Sequence, residues 1–380
     1  MTTLTDQEFI RYSRHLLIPE VGLAGQEKLK ASSALIIGTG GLGSPIALYL
    51  SAAGIGRIGL VDYDFVDDSN LQRQIIHDTN TLDKLKVDSA RARMLGLNPY
   101  IQVDTYNEPF TAKNAMRIAR GYDIIIDGSD NFPTRYLSND VAVFLGIPNI
   151  YGSIYQFDGQ ASVFYAEEGP CYRCLFPTPP PPYLVPSCAE GGVLGVLPGT
   201  IGSIQATEAI KMLLGIGSPL VGKLLLYNGL EMSFDYVKLK KNPQCPVCGK
   251  NPSITTLIDY EEFCGVPGHH TDAMPSKWDI STLELAKKMK KKNLILLDVR
   301  EPHELKISKI DGTKNIPFGE LTSRMSELNT AQEIVLICRT GSRSLYALEI
   351  LLGAGFRKIS NLEGGINKWA EDVDHSLPVY

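Results

Sequence analysis

The stretch A-L-I-I-G-T-G-G-L-G-S, residues 34–44, decides the fold of the first part of the chain. Its apolar start predicts a short buried strand, and the residues after the glycines have helical spacing. Gly38, Gly40 and Gly43 have the G-x-G-x-x-G spacing, in which glycines allow a tight turn and let phosphate approach backbone N–H groups. The stretch therefore predicts a phosphate-binding loop between a strand and a helix.

The polar residues after this loop indicate what it binds. Asp62 ends the next predicted strand, where an acceptor for ribose hydroxyls belongs. Asn70, Arg73 and Lys86 follow soon afterwards, and a plain dehydrogenase has no need of them. Because attack on a phosphate anhydride requires positive charge on the phosphates, this combination favours a nucleotidyl transferase over a redox enzyme.

Strands alternate with helices around and beyond the loop, which predicts a doubly wound, mainly parallel α/β sheet of the Rossmann-like kind. We expect strands at 34–37, 58–62, 101–105, 123–127 and 148–150, and helices at 43–53, 82–96, 111–119 and 132–145. Added strands are expected at 160–165 and 223–227, and a helix at 201–214. We assign residues 1–250 to this domain, 251–277 to a linker, and 278–380 to a second, smaller α/β domain.

The composition is that of an ordinary globular protein. The chain has 380 residues, of which 44% are apolar and 21% charged, and its net charge of −5 gives no reason to expect direct nucleic-acid binding. No apolar run has the length of a membrane span, and the start M-T-T-L-T-D-Q-E lacks the apolar core of a signal peptide. Seven cysteines here favour metal binding or catalysis over a disulfide framework. We therefore expect a cytoplasmic protein without membrane partners.

The sequence I-I-I-D-G-S-D-N places Asp130 just after a predicted strand, at the edge where doubly wound sheets bind ligands. A carboxylate there is a suitable ligand for the Mg²⁺ that accompanies a triphosphate. The alternative is that Asp127 and Asp130 cap the helix that begins near Phe132. Because Arg73 and Lys86 precede this segment, the metal is the favoured interpretation.

Four of the cysteines form two C-x-x-C pairs, Cys171 with Cys174 and Cys245 with Cys248. Two such pairs predict a tetrahedral Cys₄ zinc site. A site with four protein ligands has no position left for substrate, so its role would be structural. Buried thiols without metal are the alternative.

Cys188 lies in the glycine-rich sequence S-C-A-E-G-G-V, just beyond the proline-rich residues 177–186. The prolines exclude a regular helix or a central strand, and they fit a rigid spacer as well as a mobile loop that presents Cys188. An unpaired thiol in such a loop suits a nucleophile, and an ordinary loop residue is the alternative.

The second domain places another cysteine at the end of a strand. A helix is expected at 281–292 and strands at 294–298 and 334–338, and Cys338 ends the last of these before a helix at 342–354. The loop consists of Cys338, Arg339, Thr340, Gly341, Ser342 and Arg343. Backbone N–H groups, the helix dipole and the two arginines would stabilise an anion here. The spacing is Cys-x₄-Arg, which is tighter than the Cys-x₅-Arg of tyrosine phosphatases, so the loop fits a sulfur atom better than a phosphate. The alternative is that Cys338 is only a buried cysteine at the end of a strand.

The motifs of the first domain resemble those of the ubiquitin-activating-enzyme-like adenylyltransferases, above all those acting on molybdopterin synthase and thiamin sulfur-carrier proteins. The matching motifs are G-T-G-G-L-G-S, D-Y-D, S-N-L-Q-R-Q, Lys86, D-G-S-D-N, both C-x-x-C pairs and C-A-E-G-G-V. The resemblance implies that ATP adenylates the C-terminal Gly-Gly carboxylate of a small ubiquitin-like sulfur-carrier protein. The residues that it implies for ATP are Gly41, Asp62, Ser69, Asn70, Arg73, Lys86, Asp130 and Asn131, with Asp130 on Mg²⁺.

The same resemblance implies a homodimer in which an N-terminal arginine reaches the nucleotide of the partner. R-Y-S-R-H-L, residues 11–16, matches that segment and makes Arg14 the candidate. Cys188 matches a cysteine that forms a thioester or persulfide link in some members and is dispensable in others, so its role stays open.

Residues 278–380 resemble the rhodanese-like sulfurtransferases. The matches are D-V-R-E (298–301), I-P-F (316–318), the C-R-T-G-S-R loop and L-E-G-G-I-N-K-W (362–369). One departure is Asp311 in D-G-T-K-N-I-P, where many rhodaneses have proline, and it leaves the loop untouched. The resemblance implies that Cys338 takes a sulfane sulfur as a persulfide, from a donor such as thiosulfate or a cysteine desulfurase.

Together the two resemblances imply adenylation followed by sulfur transfer to a thiocarboxylate, in molybdopterin or related sulfur-cofactor biosynthesis. The alternative is activation of a ubiquitin-like protein for tRNA thiolation, or for protein conjugation through a Cys188 thioester. The fused sulfurtransferase domain argues against conjugation as the sole role. An NAD-dependent oxidoreductase is disfavoured because no catalytic base would lie near a nicotinamide, and a scaffold is disfavoured because both candidate sites are intact.

Overall fold

The computed structural model of the chain describes residues 3–180, 192–264, 277–289 and 294–380. The chain divides into two compact units, Met1–Pro267 and Gly268–Tyr380. Within the described ranges, no helix is both long and apolar enough to cross a membrane.

An eight-stranded sheet forms the first unit. Its strands are β1 Ser33–Ile37, β2 Arg57–Val61, β3 Gln102–Tyr106, β4 Ile124–Asp127, β5 Asn149–Tyr155, β6 Asp158–Phe164, β7 Lys223–Asn228 and β8 Ser233–Lys238. Their spatial order is β3-β2-β1-β4-β5-β6-β7-β8, parallel from β3 to β5 and antiparallel from β5 to β8. The chain order reverses between β1 and β4, and open α/β sheets bind their ligands at such a switch point.

Helices cover both faces of this sheet. They are α1 Asp6–Arg11, α2 Ser13–Leu16, α3 Gly22–Ala31, α4 Gly43–Ala53, α5 Lys86–Leu97, α6 Ala115–Ala119, α7 Phe132–Leu145, α8 Tyr172–Leu175, α9 Leu197–Leu214 and α10 Tyr260–Phe263. In β1, Ala34 and Ile36 belong to one hydrophobic core, whereas Leu35 and Ile37 belong to the other. Because both faces of β1 are buried, its sequence is a continuous apolar run and does not alternate.

The predicted doubly wound, mainly parallel sheet is confirmed, and helices α4 and α7 have the predicted limits. Two other helices are shorter than predicted. Helix α5 begins at Lys86 and not at residue 82, because Asp83 has a left-handed φ of 62° that a right-handed helix cannot include. Helix α6 begins at Ala115 and not at residue 111, since Asn114 is its N-cap and the Asn114 Oδ1 accepts from the Thr111 N–H at 2.8 Å.

Part of the stretch that we assigned to the linker packs on the first unit. Tyr260 and Cys264 lie in the same hydrophobic core as Tyr136 of α7. The Tyr260 hydroxyl also donates to Asp140 Oδ2 at 2.8 Å. The described residues up to Cys264 therefore contribute to the core of the first unit.

The second unit is built on a five-stranded parallel sheet. Its strands are β9 Asp279–Ile280, β10 Leu294–Asp298, β11 Lys314–Asn315, β12 Glu333–Ile337 and β13 Ile359–Leu362, in the order β11-β10-β12-β13-β9. The helices around it are α11 Thr282–Lys288, α12 Leu321–Arg324, α13 Ser342–Gly353 and α14 Gly365–Asp372. Strand β12 lies at the centre of the sheet, so the residue that follows it, Cys338, emerges from the middle of the unit.

Candidate functional site

The loop between β1 and α4 turns as tightly as its glycines predict. Gly38 has a φ of +87°, a conformation that side chains other than glycine rarely adopt. A Cβ atom on Gly43 would lie 2.0 Å from the carbonyl oxygen of Gly38, so only glycine fits where α4 begins. This close packing places the start of α4 directly against the end of β1.

A cavity of about 180 Å³ lies beside this loop, at the carboxyl ends of β1, β2 and β4. Most of the residues expected to bind nucleotide line it: Gly38, Gly40, Gly41, Asp62, Arg73, Lys86, Asp130 and Asn131. Gly43, Ser69 and Asn70 are not part of the lining. Ser69 and Asn70 form a short turn behind Arg73, whose Nη1 donates to the Ser69 carbonyl at 3.1 Å.

Two carboxylates organise the charged wall of this cavity. Asp62 Oδ2 accepts hydrogen bonds from the Thr39 N–H at 2.8 Å and from the Thr39 hydroxyl at 2.9 Å, so Asp62 ties the glycine loop to the end of β2. Asp64 Oδ2 lies 2.9 Å from the Lys86 Nζ. The Lys86 side chain is only 7% exposed whereas that of Asp64 is 53% exposed, so the pair holds the ammonium group at the cavity wall.

Neither Asp127 nor Asp130 is the N-cap of α7, as the alternative interpretation would require. Asn131 is the N-cap of α7, and its Oδ1 accepts from the Thr134 N–H at 2.9 Å. Asp127 is fully buried and accepts from the N–H and the hydroxyl of Ser129 at 2.9 and 2.6 Å, and burial raises its pKa. Asp130 is exposed and lines the cavity. Asp130 is therefore part of the cavity wall and is not the cap of α7.

Two residues near the loop were not found by sequence reasoning. The Nε2 of His77 lies 3.1 Å from the Thr39 carbonyl oxygen, and its Nδ1 lies 2.9 Å from the Ser89 hydroxyl. A carbonyl can only accept, so Nε2 carries the proton and Nδ1 accepts from Ser89; burial lowers the pKa of His77 and keeps the ring neutral. Gln74, almost fully buried, also lines the cavity. Both residues lie within four positions of Arg73, in R-Q-I-I-H, and this closeness was the only sequence signal that could have indicated them.

The four paired cysteines converge as predicted. The sulfur atoms of Cys171, Cys174, Cys245 and Cys248 all lie within 4.8 Å of one another. Three measured S···S distances are 3.9, 3.5 and 3.4 Å. A tetrahedron with Zn–S bonds of about 2.3 Å has S···S edges of about 3.8 Å, so the cluster could bind zinc with little adjustment.

The Cys245–Cys248 pair forms a tight knuckle. The Gly249 N–H donates to the Cys245 carbonyl at 3.0 Å, and a Cβ on Gly249 would lie 2.5 Å from that oxygen. On the opposite side, the Asn242 N–H donates to the Cys174 sulfur at 3.3 Å. Backbone N–H donation of this kind stabilises thiolate ligands and orients them toward a metal.

Cys338 lies at the bottom of a loop whose donors face its sulfur. The Sγ atom accepts from the Gly341 N–H at 3.1 Å and from the Ser344 hydroxyl at 3.3 Å. Gly341 has a φ of +94°. A Cβ on Gly365 would lie 2.5 Å from the carbonyl oxygens of Cys338 and Arg339, so the E-G-G-I sequence allows α14 to begin directly against the loop.

The two arginines of the loop have different surroundings. Arg343 forms a bidentate ion pair with Glu304, with N···O distances of 2.8 and 2.7 Å. The Arg339 guanidinium lies 5.7 Å from the centre of the Tyr380 ring. Thr340 and Ser342 complete the loop, with their hydroxyls 3.4 Å apart. Glu304 and Tyr380 were not found by sequence reasoning, because they come from distant parts of the chain.

Two predicted site residues are not part of these sites as described. Cys188 belongs to residues 181–191, which lie outside the described residues. Arg14 lies exposed on α2 and does not line the cavity of its own chain.

These features define a nucleotide-dependent transferase with a second, sulfur-handling unit. The chain belongs to the ThiF family, whose model matches residues 12–247, and residues 281–372 match the rhodanese-like domain. The protein is an enzyme, an adenylyltransferase joined to a sulfurtransferase, and ATP use follows from the adenylyltransferase family.

Relatives whose names combine an adenylyltransferase with a sulfurtransferase match over the whole chain. The "Probable adenylyltransferase/sulfurtransferase MoeZ" of Mycobacterium tuberculosis is 45% identical over 386 residues, which cover 100% of this chain and 97% of that protein. The "Adenylyltransferase and sulfurtransferase MOCS3" of Drosophila virilis is 42% identical, covering 100% of this chain and 87% of that protein. The "Sulfur carrier protein adenylyltransferase" of Thermus thermophilus is 53% identical over 267 residues, covering 69% of this chain and 98% of that protein.

Among solved structures, Escherichia coli MccB with ATP is similar in fold. Its TM-score is 0.55 at 22% sequence identity, and the match covers 63% of this chain and 73% of that one. At this identity the likeness concerns the fold alone.

Proposed function

We propose that this chain adenylates the C-terminal Gly-Gly carboxylate of a small ubiquitin-like sulfur-carrier protein and then replaces one carboxylate oxygen with sulfur. The observation that carries the proposal is the presence, in one chain, of a charged cavity beside a phosphate loop and of a cysteine loop with donors aimed at sulfur. The names of the full-length relatives support both halves.

In the first unit, the phosphate loop and two of the cationic side chains that line the cavity would bind ATP. Backbone N–H groups of Gly40 and Gly41 would contact the phosphates, and Arg73 and Lys86 would balance their charge. Asp62 would accept from the ribose, with Ser69, Asn70 and Asn131 supporting the site from its edges. Asp130 would hold Mg²⁺, which supplies charge neutralisation at the phosphates when it is bound.

The adenylation step forms one bond and breaks another. A carboxylate oxygen of the carrier attacks the α-phosphorus of ATP, and the bond to pyrophosphate breaks. The products are an acyl-adenylate and pyrophosphate. The acyl carbon is thereby activated, because AMP is a good leaving group.

Sulfur transfer would begin at Cys338. Its thiolate attacks the sulfane sulfur of a donor such as thiosulfate or the persulfide of a cysteine desulfurase. The S–S bond of the donor breaks, sulfite or the desulfurase cysteine thiolate leaves, and Cys338 carries a persulfide. The terminal sulfur attacks the acyl carbon, AMP leaves, and an acyl disulfide links the carrier to Cys338. A Cys188 thiolate then attacks the Cys338 sulfur, which releases the carrier thiocarboxylate and leaves a Cys188–Cys338 disulfide for an external thiol to reduce.

Three further features belong to this proposal. Zinc on the four-cysteine cluster would be structural, since four protein ligands complete the coordination. The chain would act as a homodimer, because exposed apolar residues such as Ile10, Leu17 and Leu23 cover the N-terminal helices beside Arg14, which would reach the partner's nucleotide. The enzyme would work in the cytoplasm, where thiols stay reduced.

The test is an intact-mass measurement on each Gly-Gly-ended carrier of the source organism, incubated with the protein, Mg-ATP, thiosulfate and a reductant. A mass change that matches oxygen replaced by sulfur identifies the carrier and supports both steps. An AMP adduct without sulfur would keep the adenylation and contradict the role of Cys338. No change in any carrier, together with no carrier-dependent ATP–pyrophosphate exchange, would contradict the proposal.

A further inference from the structure

Tyr380 lies next to the persulfide loop although it is far from it in sequence. Its hydroxyl accepts a hydrogen bond from the Arg300 Nη1 at 2.6 Å and donates one to the Glu304 Oε1 at 3.2 Å. The same Glu304 oxygen accepts from the Arg343 Nη2 at 2.7 Å. A continuous chain of hydrogen bonds therefore leads from Arg300, through Tyr380 and Glu304, to the last residue of the loop.

Further hydrogen bonds hold Arg300 and Tyr380 in this chain. Arg300 is fully buried, and Asp298 receives hydrogen bonds from its Nε and Nη2 at 3.0 and 2.6 Å. The backbone of Tyr380 is held by Asn367, whose Nδ2 donates to the Tyr380 carbonyl at 2.8 Å. The Asn367 N–H in turn donates to the Arg339 carbonyl at 3.1 Å, so the support of Tyr380 is itself bonded to the loop.

The ring and the hydroxyl of Tyr380 thus act on different arginines of the loop. The ring lies 5.7 Å from the Arg339 guanidinium, within the range of a cation–π contact. The hydroxyl reaches Arg343 through Glu304. An arginine that is already oriented loses less conformational entropy when it binds an anion than one that must first be ordered.

The protonation states agree with these roles. Burial raises the pKa of Tyr380, so the phenol keeps the proton that it donates. Burial acts to raise the pKa of Glu304, but the hydrogen bonds from Arg343 and the Glu301 N–H, together with the charges of Arg343 and Arg300, outweigh it, and that pKa lies below its ordinary value. Glu304 is therefore a carboxylate that can accept from Arg343 and Tyr380 together.

We propose that Tyr380 is a positioning residue for sulfur transfer, which orients Arg339 and Arg343 so that the Cys338 loop favours an anionic sulfur donor. The inference rests on the proposed persulfide chemistry of Cys338. It adds a residue that makes the loop prefer a negatively charged sulfur donor. Tyr380 lies outside the loop sequence 338–343. The orientation of the loop arginines therefore depends on a residue that the loop motif does not include.

The test compares two alkylating probes of nearly equal size on the full chain, anionic iodoacetate and neutral iodoacetamide. Their rate constants at Cys338 are measured by mass spectrometry of the tryptic peptide that contains it. In Tyr380→Phe we expect the ratio of the iodoacetate to the iodoacetamide rate constant to fall by roughly three- to tenfold, as for the loss of one hydrogen bond. Tyr380→Leu, which lacks the ring as well, should lower the ratio further.

A merely structural role would change both rate constants together, because a loosened loop exposes the thiol to either probe, and the ratio would stay as in the wild type. Tyr236→Phe removes a hydroxyl from an exposed position on β8 and serves as the matched control. An unchanged ratio in both Tyr380 variants would overturn the proposal. So would an increase, or a wild-type enzyme without preference for the anion.

A second readout uses the sulfur donor itself. With thiosulfate, the KM of Tyr380→Phe for persulfide formation should rise while its kcat changes by less than about twofold, since ground-state binding is what is lost. If the wild-type chain forms no persulfide at Cys338, the proposed function fails. The alkylation ratio does not depend on sulfur transfer, so it still decides the role of Tyr380.

Discussion

Arg173 and Asp140 form a fully buried ion pair, with 2.8 Å between the Arg173 Nη2 and the Asp140 Oδ2. Arg173 lies between the two cysteines of C-Y-R-C, and Asp140 belongs to α7, so the pair joins the four-cysteine cluster to the sheet core. Phe263 of α10 covers the guanidinium at 4.4 Å, and the Tyr260 hydroxyl donates to Asp140. Residues far apart in sequence therefore meet at one buried carboxylate.

Removing this carboxylate should destabilise the first unit strongly. Asp140→Ala leaves the Arg173 charge buried without its partner, and such a loss typically costs about 3–5 kcal/mol. The free energy of unfolding from urea titration measures the effect. Arg324→Ala, which breaks exposed pairs with Glu320 and Glu327, is the control and should change stability little. Equal effects of the two variants would contradict the structural role of the buried pair.

Zinc content tests the cysteine cluster. Cys245→Ser should lose the bound zinc and unfold at lower temperature, because a tetrathiolate site contributes its binding energy to folding. Cys264→Ser is a matched control, since Cys264 is also a buried thiol but lies outside the cluster, and burial raises its pKa to about 12. Zinc measured by atomic absorption should persist in that control. A wild-type protein free of zinc after preparation without chelators would contradict the prediction.

The sequence predicted the features that depend on neighbouring residues. The glycine loop at 38–43 follows from backbone sterics, and the cysteine cluster follows from the spacing within each pair. Helix α5 was extended too far, because helical spacing does not reveal the positive φ of Asp83. Arg173–Asp140 and Tyr380–Glu304 could not be predicted, since their partners are brought together only by the tertiary fold.

Acid should weaken the first unit through His77. Its pKa in the folded state is below 6.5, so the unfolded chain binds a proton first as pH falls. The contribution of His77 to the free energy of unfolding is therefore fully present above about pH 6.5. Below that pH it decreases by at most about 1.4 kcal/mol per pH unit. His77→Gln keeps a donor for the Thr39 carbonyl but does not titrate. It should therefore lose less stability than the wild type between about pH 7 and pH 5. Parallel curves for the two proteins would contradict the prediction.

Lys86 should be essential for adenylation. Its ammonium group lies at the cavity wall beside Asp64, and removing one such charge usually costs about 10²- to 10³-fold in rate. We expect Lys86→Ala to lose carrier-dependent ATP–pyrophosphate exchange by that factor while its rhodanese activity with thiosulfate is retained. Lys84→Ala changes an exposed lysine two positions away and should keep both activities. Normal exchange in Lys86→Ala would show that the lysine only supports the fold.

A methyl group added at Gly365 should abolish persulfide formation and spare ATP–pyrophosphate exchange, which is the reverse of the effect expected for Lys86→Ala. Gly365 has a φ of +63°, and a Cβ there would lie 2.5 Å from the carbonyl oxygens of Cys338 and Arg339. Gly365→Ala must therefore displace the loop or the start of α14, which moves the Gly341 N–H and Ser344 hydroxyl away from the sulfur. We expect persulfide formation to be lost while ATP–pyrophosphate exchange persists.

The control for that variant is Gly353→Ala at the end of α13, where a Cβ meets nothing within 4 Å and φ is not positive. Alanine also favours a helix over glycine, so this variant should be neutral or slightly more stable. Because both variants add the same methyl group to the same unit, a difference between them reports on the loop and not on the unit as a whole. Retained persulfide formation in Gly365→Ala would mean that the loop tolerates displacement, and the donors at 3.1 and 3.3 Å from Cys338 would then not be what activates the thiol.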